Sequence, residues 1–186
     1  MAGLIMGFIG AVALADFLSG FWHWLEDRYF DVRWPIIGEY IAKPNTLHHA
    51  QPMAFVHQSY WRRNWTTILP AATALAIGLV CRAPWWLLLA FALISQANEL
   101  HAWAHYRVKC RLVRGLQEFG LLQSVQHHNI HHRDPFSRNY CVMTDWLNPL
   151  LDKTRFWFAC EWALERVGIP IRDDCKEMDA RAKLKE

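Results

Sequence analysis

Residues 3–22 read GLIMGFIGAVALADFLSGFW, an apolar run broken by one ionisable side chain, Asp16. A helix of that length rises about 30 Å, the thickness of a bilayer's hydrocarbon core. Residues 65–81 (WTTILPAATALAIGLVC) and 83–98 (APWWLLLAFALISQAN) are two further uncharged runs. Arg82-Ala83-Pro84 forms a tight turn between them, with Trp85 and Trp86 beside it, where an apolar ring carrying one polar N–H favours a membrane rim. The pair is expected to form a transmembrane hairpin. Its rival is a pair of buried helices in a soluble protein. A secretory signal in place of the first run would need a basic leader, and Met1-Ala2-Gly3 offers no positive charge, so a retained span is expected.

Charge placement orients these segments. Five Lys/Arg (Arg28, Arg33, Lys43, Arg62, Arg63) lie between the first and second runs, Arg82 alone lies at the hairpin tip, and the remaining fourteen follow residue 104. The positive-inside rule then puts the long loop and the C-terminal half in the cytoplasm. The expected fold is an all-α integral membrane bundle of about three transmembrane helices with a cytoplasmic His-rich helical cap. One domain spans residues 1–170, followed by a charged, mobile tail at 171–186. Residues 108–126 are expected to form an interfacial amphipathic helix, and 156–167 another amphipathic helix. Five Cys without a CxxC pair give neither a disulfide framework nor a zinc-finger pattern.

The ten histidines are not scattered. His101 and His105 are i,i+4, so both imidazoles project from one helix face, as chelation of a single metal requires. In His127-His128-Asn129-Ile130-His131-His132 the same spacing pairs His127 with His131 and His128 with His132. His23 and Asp27 make a third such pair, nitrogen with oxygen. His48, His49 and His57 complete the set, and all ten fall on segments assigned to the cytoplasmic rim. So many imidazoles exceed one tetrahedral zinc and suit two metals of four or five ligands each. The candidate ligands are therefore His23, Asp27, His48, His49, His57, His101, His105, His127, His128, His131 and His132. Glu26, Asn98, Glu99 and Asp134 stand beside them as candidates to orient imidazole N–H groups. Asp16 reads as a helix-to-helix hydrogen-bond partner rather than a ligand. Iron suits oxygen chemistry, because zinc has no redox role.

Several strings in fixed order carry a resemblance: Asp16 to Asp27 (DFLSGFWHWLED), His48-His49-Ala50-Gln51-Pro52, Asn98 to His105 (NELHAWAH), Leu116-Gln117-Glu118, His127 to His132, and Tyr140 to Leu151 (YCVMTDWLNPLL). In these the chain resembles the Kua-type membrane lipid desaturases, which include plasmanylethanolamine desaturases. Phe136 stands where that family often has His, and Asp145 where it often has Gly. The resemblance implies a His-ligated enzyme with two iron ions that uses O2 and takes electrons from a cytochrome b5- or ferredoxin-type donor protein. The substrate it suggests first is the alkyl ether chain of a phospholipid, converted to the vinyl ether of a plasmalogen. Acyl-chain desaturation or hydroxylation of a phospholipid or glycolipid is the alternative. The expected location is an inner membrane if bacterial or the endoplasmic reticulum if eukaryotic, with no nucleic acid among the partners. Outside enzymes, a His-rich metal transporter or a membrane anchor are the competing readings. A transporter would place ionisable residues at mid-membrane rather than at one rim.

Overall fold

A computed structural model describes residues 1–184. Eleven α-helices and one π-helical turn account for its regular structure, and there is no strand among the described residues. The first helix, α1 (Ala2–Arg28), carries the whole first apolar run and continues for six residues beyond it. By length and composition it alone among the described residues qualifies as a membrane-crossing helix. Its inner face is built from small residues: Ala11 and Ala15 are fully buried, against Ala90 of α5 (Trp85–Ile94), with Val142 and Met143 closing the cluster. Small side chains let two helices approach closely, and Trp85 lies over Gly7 in the same way. Leu4, Ile5, Met6 and Phe8 point outward and are exposed.

After α1 the chain turns through Gly38–Ala42, a π-helical turn, into α2 (Lys43–Ala50) and the single turn α3 (Pro52–Val56). Helix α4 (Tyr60–Val80) starts on a Ser59 cap, whose hydroxyl accepts from the Arg62 N–H. The chain reverses through Arg82, which takes a positive φ of 55°, into α5. The expected hairpin of α4 and α5 is thus present as two packed helices.

The third apolar run is not one helix. It breaks at Ser95-Gln96 and resumes as α6 (Ala97–Trp103). Side chains of α4 satisfy the break: Thr67 donates its hydroxyl to the Ser95 carbonyl, and Tyr60 donates to the Gln96 side chain. The expected helix over 108–126 is likewise divided, into α7 (Arg111–Glu118) and α8 (Val125–His131). Gly120, at φ +67°, makes the turn between them, and its carbonyl accepts the Asp145 N–H.

Helices α9 (Leu147–Lys153), α10 (Phe156–Arg166) and α11 (Asp173–Lys183) cover the far end of α1. Trp24, Tyr29, Tyr140 and Trp157 are buried together there, and large side chains removed from water contribute about 1.5–3 kcal/mol each. Arg28, 2% exposed, is clamped by two carboxylates, Glu161 of α10 at 2.7 Å and Asp179 of α11 at 2.5 Å. The charged segment expected to be solvated and mobile is therefore largely the docked helix α11. Cys175 is buried against the Asp27 carbonyl, and the Arg172 N–H donates to the Arg28 carbonyl. A guanidinium buried on α1 requires such carboxylates, and the C-terminal helix α11 supplies one of them. Residues 185–186 of that segment lie outside the described residues.

Candidate metal centre

Donors from four separate stretches meet at the C-terminal end of α1. His48, His101, His105, His128 and His132 form one group, and His23, Asp27, His49 and His131 form a second; within each, donor atoms lie within 4.8 Å of one another. The groups adjoin. The rings of His23 and His101 are 5.1 Å apart, and those of His48 and His49 are 5.6 Å apart. Helical spacing explains part of this. His101 and His105 share a face at the end of α6, and His128 and His132 share one on α8, as the i,i+4 pattern predicts. His131, one residue out of step, falls into the other group instead.

The orientation of the second group fixes its tautomers. His23 Nδ1 faces the Tyr140 carbonyl at 3.1 Å, and His131 Nδ1 faces the Arg138 carbonyl at 2.8 Å. A carbonyl only accepts, so both Nδ1 atoms are N–H donors and, in the neutral rings, both Nε2 atoms carry lone pairs. Those lone pairs point at Asp27 Oδ2, 3.6 Å from His23 and 3.2 Å from His131. His23 Nε2, His131 Nε2 and Asp27 Oδ2 are buried without a hydrogen-bond donor. Three acceptors converging in a dry site fit a cation among them. Donation of the outer ring N–H to a carbonyl is what metal-bound imidazoles do. Asn45 donates to the other oxygen, Asp27 Oδ1, at 2.6 Å, and His49 Nε2 lies 2.8 Å from it.

In the five-histidine group the Nε2 atom of His128 lies 3.0 Å from that of His101 and 2.9 Å from that of His105, which is 3.2 Å from that of His48. Ring nitrogens crowded edge to edge suit a shared cation better than one another. Burial, reinforced by the neighbouring imidazoles, holds His48, His101 and His128 well below their ordinary pKa, His105 at about 4 and His132 at about 2. At neutral pH all five rings are therefore in the uncharged form that ligates metals. Phe55 packs on His48 and His101, and Phe136 packs on His49, so apolar rings wall both groups.

Two of the candidate ligands stand outside. His57 ends the short α3 and is exposed. His127 lies on another side of α8, its Nδ1 4.0 Å from Asp145 Oδ1, so the 127/131 pair of the sequence pattern does not converge. The expected orienting roles shift as well. Glu99 accepts from Arg63, Asn64 and Trp103 and ties α6 to α4. Asn98 donates to the Arg63 carbonyl, and Asp134 is exposed in the turn after α8. Glu26 lines cavities beside the donors.

The orienting groups that sequence reading missed are backbone carbonyls, of Tyr140 and Arg138, together with Asn45. Only the YCVMTDWLNPLL string hinted at the first of them. That string is held to α1 by Asp16, which accepts from the Met143 and Thr144 N–H groups and the Thr144 hydroxyl at 2.6–3.1 Å. Asp16 is thus a helix-to-loop tie rather than a helix-to-helix one. Gly20 permits the approach, since a Cβ there would meet Cys141 Sγ at 2.5 Å.

A model of the lipid desaturase domain matches residues 12–174, which includes every donor described above. The chain belongs to the lipid desaturase family. Plasmanylethanolamine desaturase of Myxococcus xanthus is 29% identical to it, over 98% of this chain and 67% of that protein. Plasmanylethanolamine desaturase 1 of Mus musculus is 30% identical, over 93% and 70%. Fatty acid desaturase 4-like 2, chloroplastic, of Arabidopsis thaliana is 34% identical, over 86% of this chain and 59% of that protein. No solved structure matches the chain.

Between α1, α4 and α5 runs an apolar cavity of about 250 Å³. Ala74 and Phe91 line it far from the donors, and His23 and His101, one from each group, line it near them.

Proposed function

We propose that this lipid desaturase family member is an O2-dependent membrane desaturase with two irons, acting on the alkyl ether chain of a plasmanylethanolamine-type phospholipid. The observation that carries the reading is the apolar cavity, because it leads to a donor of each metal group. Iron held there would supply the O2-derived oxidising power that removes a hydrogen from each of two adjacent carbons, with electrons from a cytochrome b5- or ferredoxin-type protein.

The protein's own residues do the rest. Leu18, Ala74, Phe91 and Ile94 bind and straighten a hydrocarbon chain and exclude water around it. His23 and His131 stay oriented through their carbonyl partners, without needing a protonated ring. Asp27 brings one negative charge to its group, whereas the other group is all imidazole, so the two positions differ in donor field. The exposed apolar side chains Leu4, Phe8, Leu69 and Ile77 on α1 and α4 favour a lipid-facing surface. Together with the charge asymmetry they support insertion of α1, α4 and α5, with the donors at the cytoplasmic rim.

The names of the relatives support the ether-lipid substrate over a general one, while the Arabidopsis relative keeps an acyl chain as the second reading. The test is the product. Membranes supplied with an alkyl ether phospholipid, O2 and reductant should gain a species two hydrogens lighter that releases aldehyde in acid. An acid-stable double bond in an acyl chain would move the substrate to the second reading. Absence of any desaturated lipid with iron-loaded protein would overturn both.

A further inference from the structure

A second cavity, of about 540 Å³, opens beside the first and differs from it in character. Tyr40, Lys43, Asn45, Gln58 and Arg62 line it, and Glu26, Thr66, Asn98 and His101 line both cavities. The two therefore share a wall, one cavity apolar and the other polar, and they adjoin at His101. That is the shape of an amphiphile whose reacting carbons lie near its headgroup.

The charges of the polar end sort by whether they are already committed. Arg63 is buried, donating to Glu99 and to the Val56 and Gln58 carbonyls. Lys43 is paired with Glu39. Arg62 is exposed, and among the described residues its guanidinium has neither ion pair nor hydrogen bond. A free guanidinium facing a polar cavity offers the planar fork that matches a phosphate's oxygens.

We propose that the polar cavity seats the phosphate of a glycerophospholipid, with Arg62 as its binding residue, so that the first carbons beyond the glycerol linkage lie at the junction beside His101. This rests on the desaturase reading and adds the headgroup residue and the measuring rule, by which the oxidised bond is counted from the glycerol end whatever the chain length.

The test uses the full-length protein in detergent and reads binding rather than turnover. Trp22 lines the apolar cavity and Trp65 the polar one, so quenching of tryptophan fluorescence by a brominated-chain lipid reports occupancy. The probes are an ether phosphatidylethanolamine and the matching alkylacylglycerol without phosphate. Arg62→Gln should weaken the phospholipid about tenfold, the order lost with one charged hydrogen bond, leave the alkylacylglycerol unchanged, and be partly rescued by Arg62→Lys. Equal affinity of the two lipids for the unsubstituted protein, or equal loss of both in Arg62→Gln, would overturn the assignment. So would displacement of the phospholipid by inorganic phosphate at matching concentration, which would mark a site for the free anion. If the binding shifts appear as stated while no lipid is ever desaturated, the headgroup site stands and the desaturase reading falls. Desaturation that proceeds with Arg62→Gln binding both lipids normally would mean the reverse.

Discussion

His23 Nδ1 donates to the carbonyl of Tyr140, 117 residues away in sequence, at 3.1 Å. One bond thus sets the tautomer of a candidate ligand on α1 from a loop beyond α8, and the loop is held in place by Asp16. Removing Asp16 should therefore loosen both the fold and the metal group it supports. We expect Asp16→Ala to cost about 2–4 kcal/mol, since three buried donors lose a charged acceptor, and Asp16→Asn to cost less because its oxygen still accepts. Thermal unfolding of the purified variants measures this, and a wild-type midpoint in Asp16→Ala would contradict it.

The proposed topology can be read with the native thiols. Cys81, at the end of α4, and Cys110, just before α7, are both exposed. Backbone N–H groups of Val113 and Leu112 stabilise the Cys110 thiolate and lower its pKa, so it reacts readily wherever reagent reaches it. A membrane-impermeant maleimide should label Cys81 in intact cells and Cys110 only after permeabilisation. Labelling of Cys110 in intact cells would place the donor side outside.

Acid should destabilise the metal-free protein. His105 and His132 are held at about 4 and about 2, and His48, His101 and His128 well below the ordinary value near 6.5. Above about pH 6.5 both folded and unfolded forms are neutral and these groups make no difference. As pH falls below that value the unfolded chain binds protons that the folded chain refuses. Each ring then costs up to about 1.4 kcal/mol per pH unit until its folded pKa is reached. The melting temperature of the metal-free protein should drop steeply between pH 7 and pH 5. A flat profile would mean that the rings are charged in the fold.

Local periodicity made much of this centre legible, and distant contacts account for what it missed. The i,i+4 spacing correctly joins His101 to His105 and His128 to His132, because each pair lies on one short helical stretch. It could not tell that His131 turns to Asp27 while His127 turns to Asp145, since that depends on which neighbour packs on each side of α8. The apolar runs located α1, α4 and α5, yet not the break at Ser95-Gln96, whose polar groups are met by Tyr60 and Thr67 from a different helix. The charged tail gave no sign of docking, because the partner of its Asp179, Arg28, lies 151 residues earlier. A charge pattern alone does not reveal a buried guanidinium.

If these donors hold two metals, one in each group, the metal content per chain shows it. Protein made with adequate iron should contain two irons per chain, since the donors separate into groups of five and four. His128→Ala and Asp27→Ala should each retain about one, and the double variant close to none, while His57→Ala should keep both. One metal per chain in the unsubstituted protein, or complete loss from either single variant, would contradict two separate metal positions.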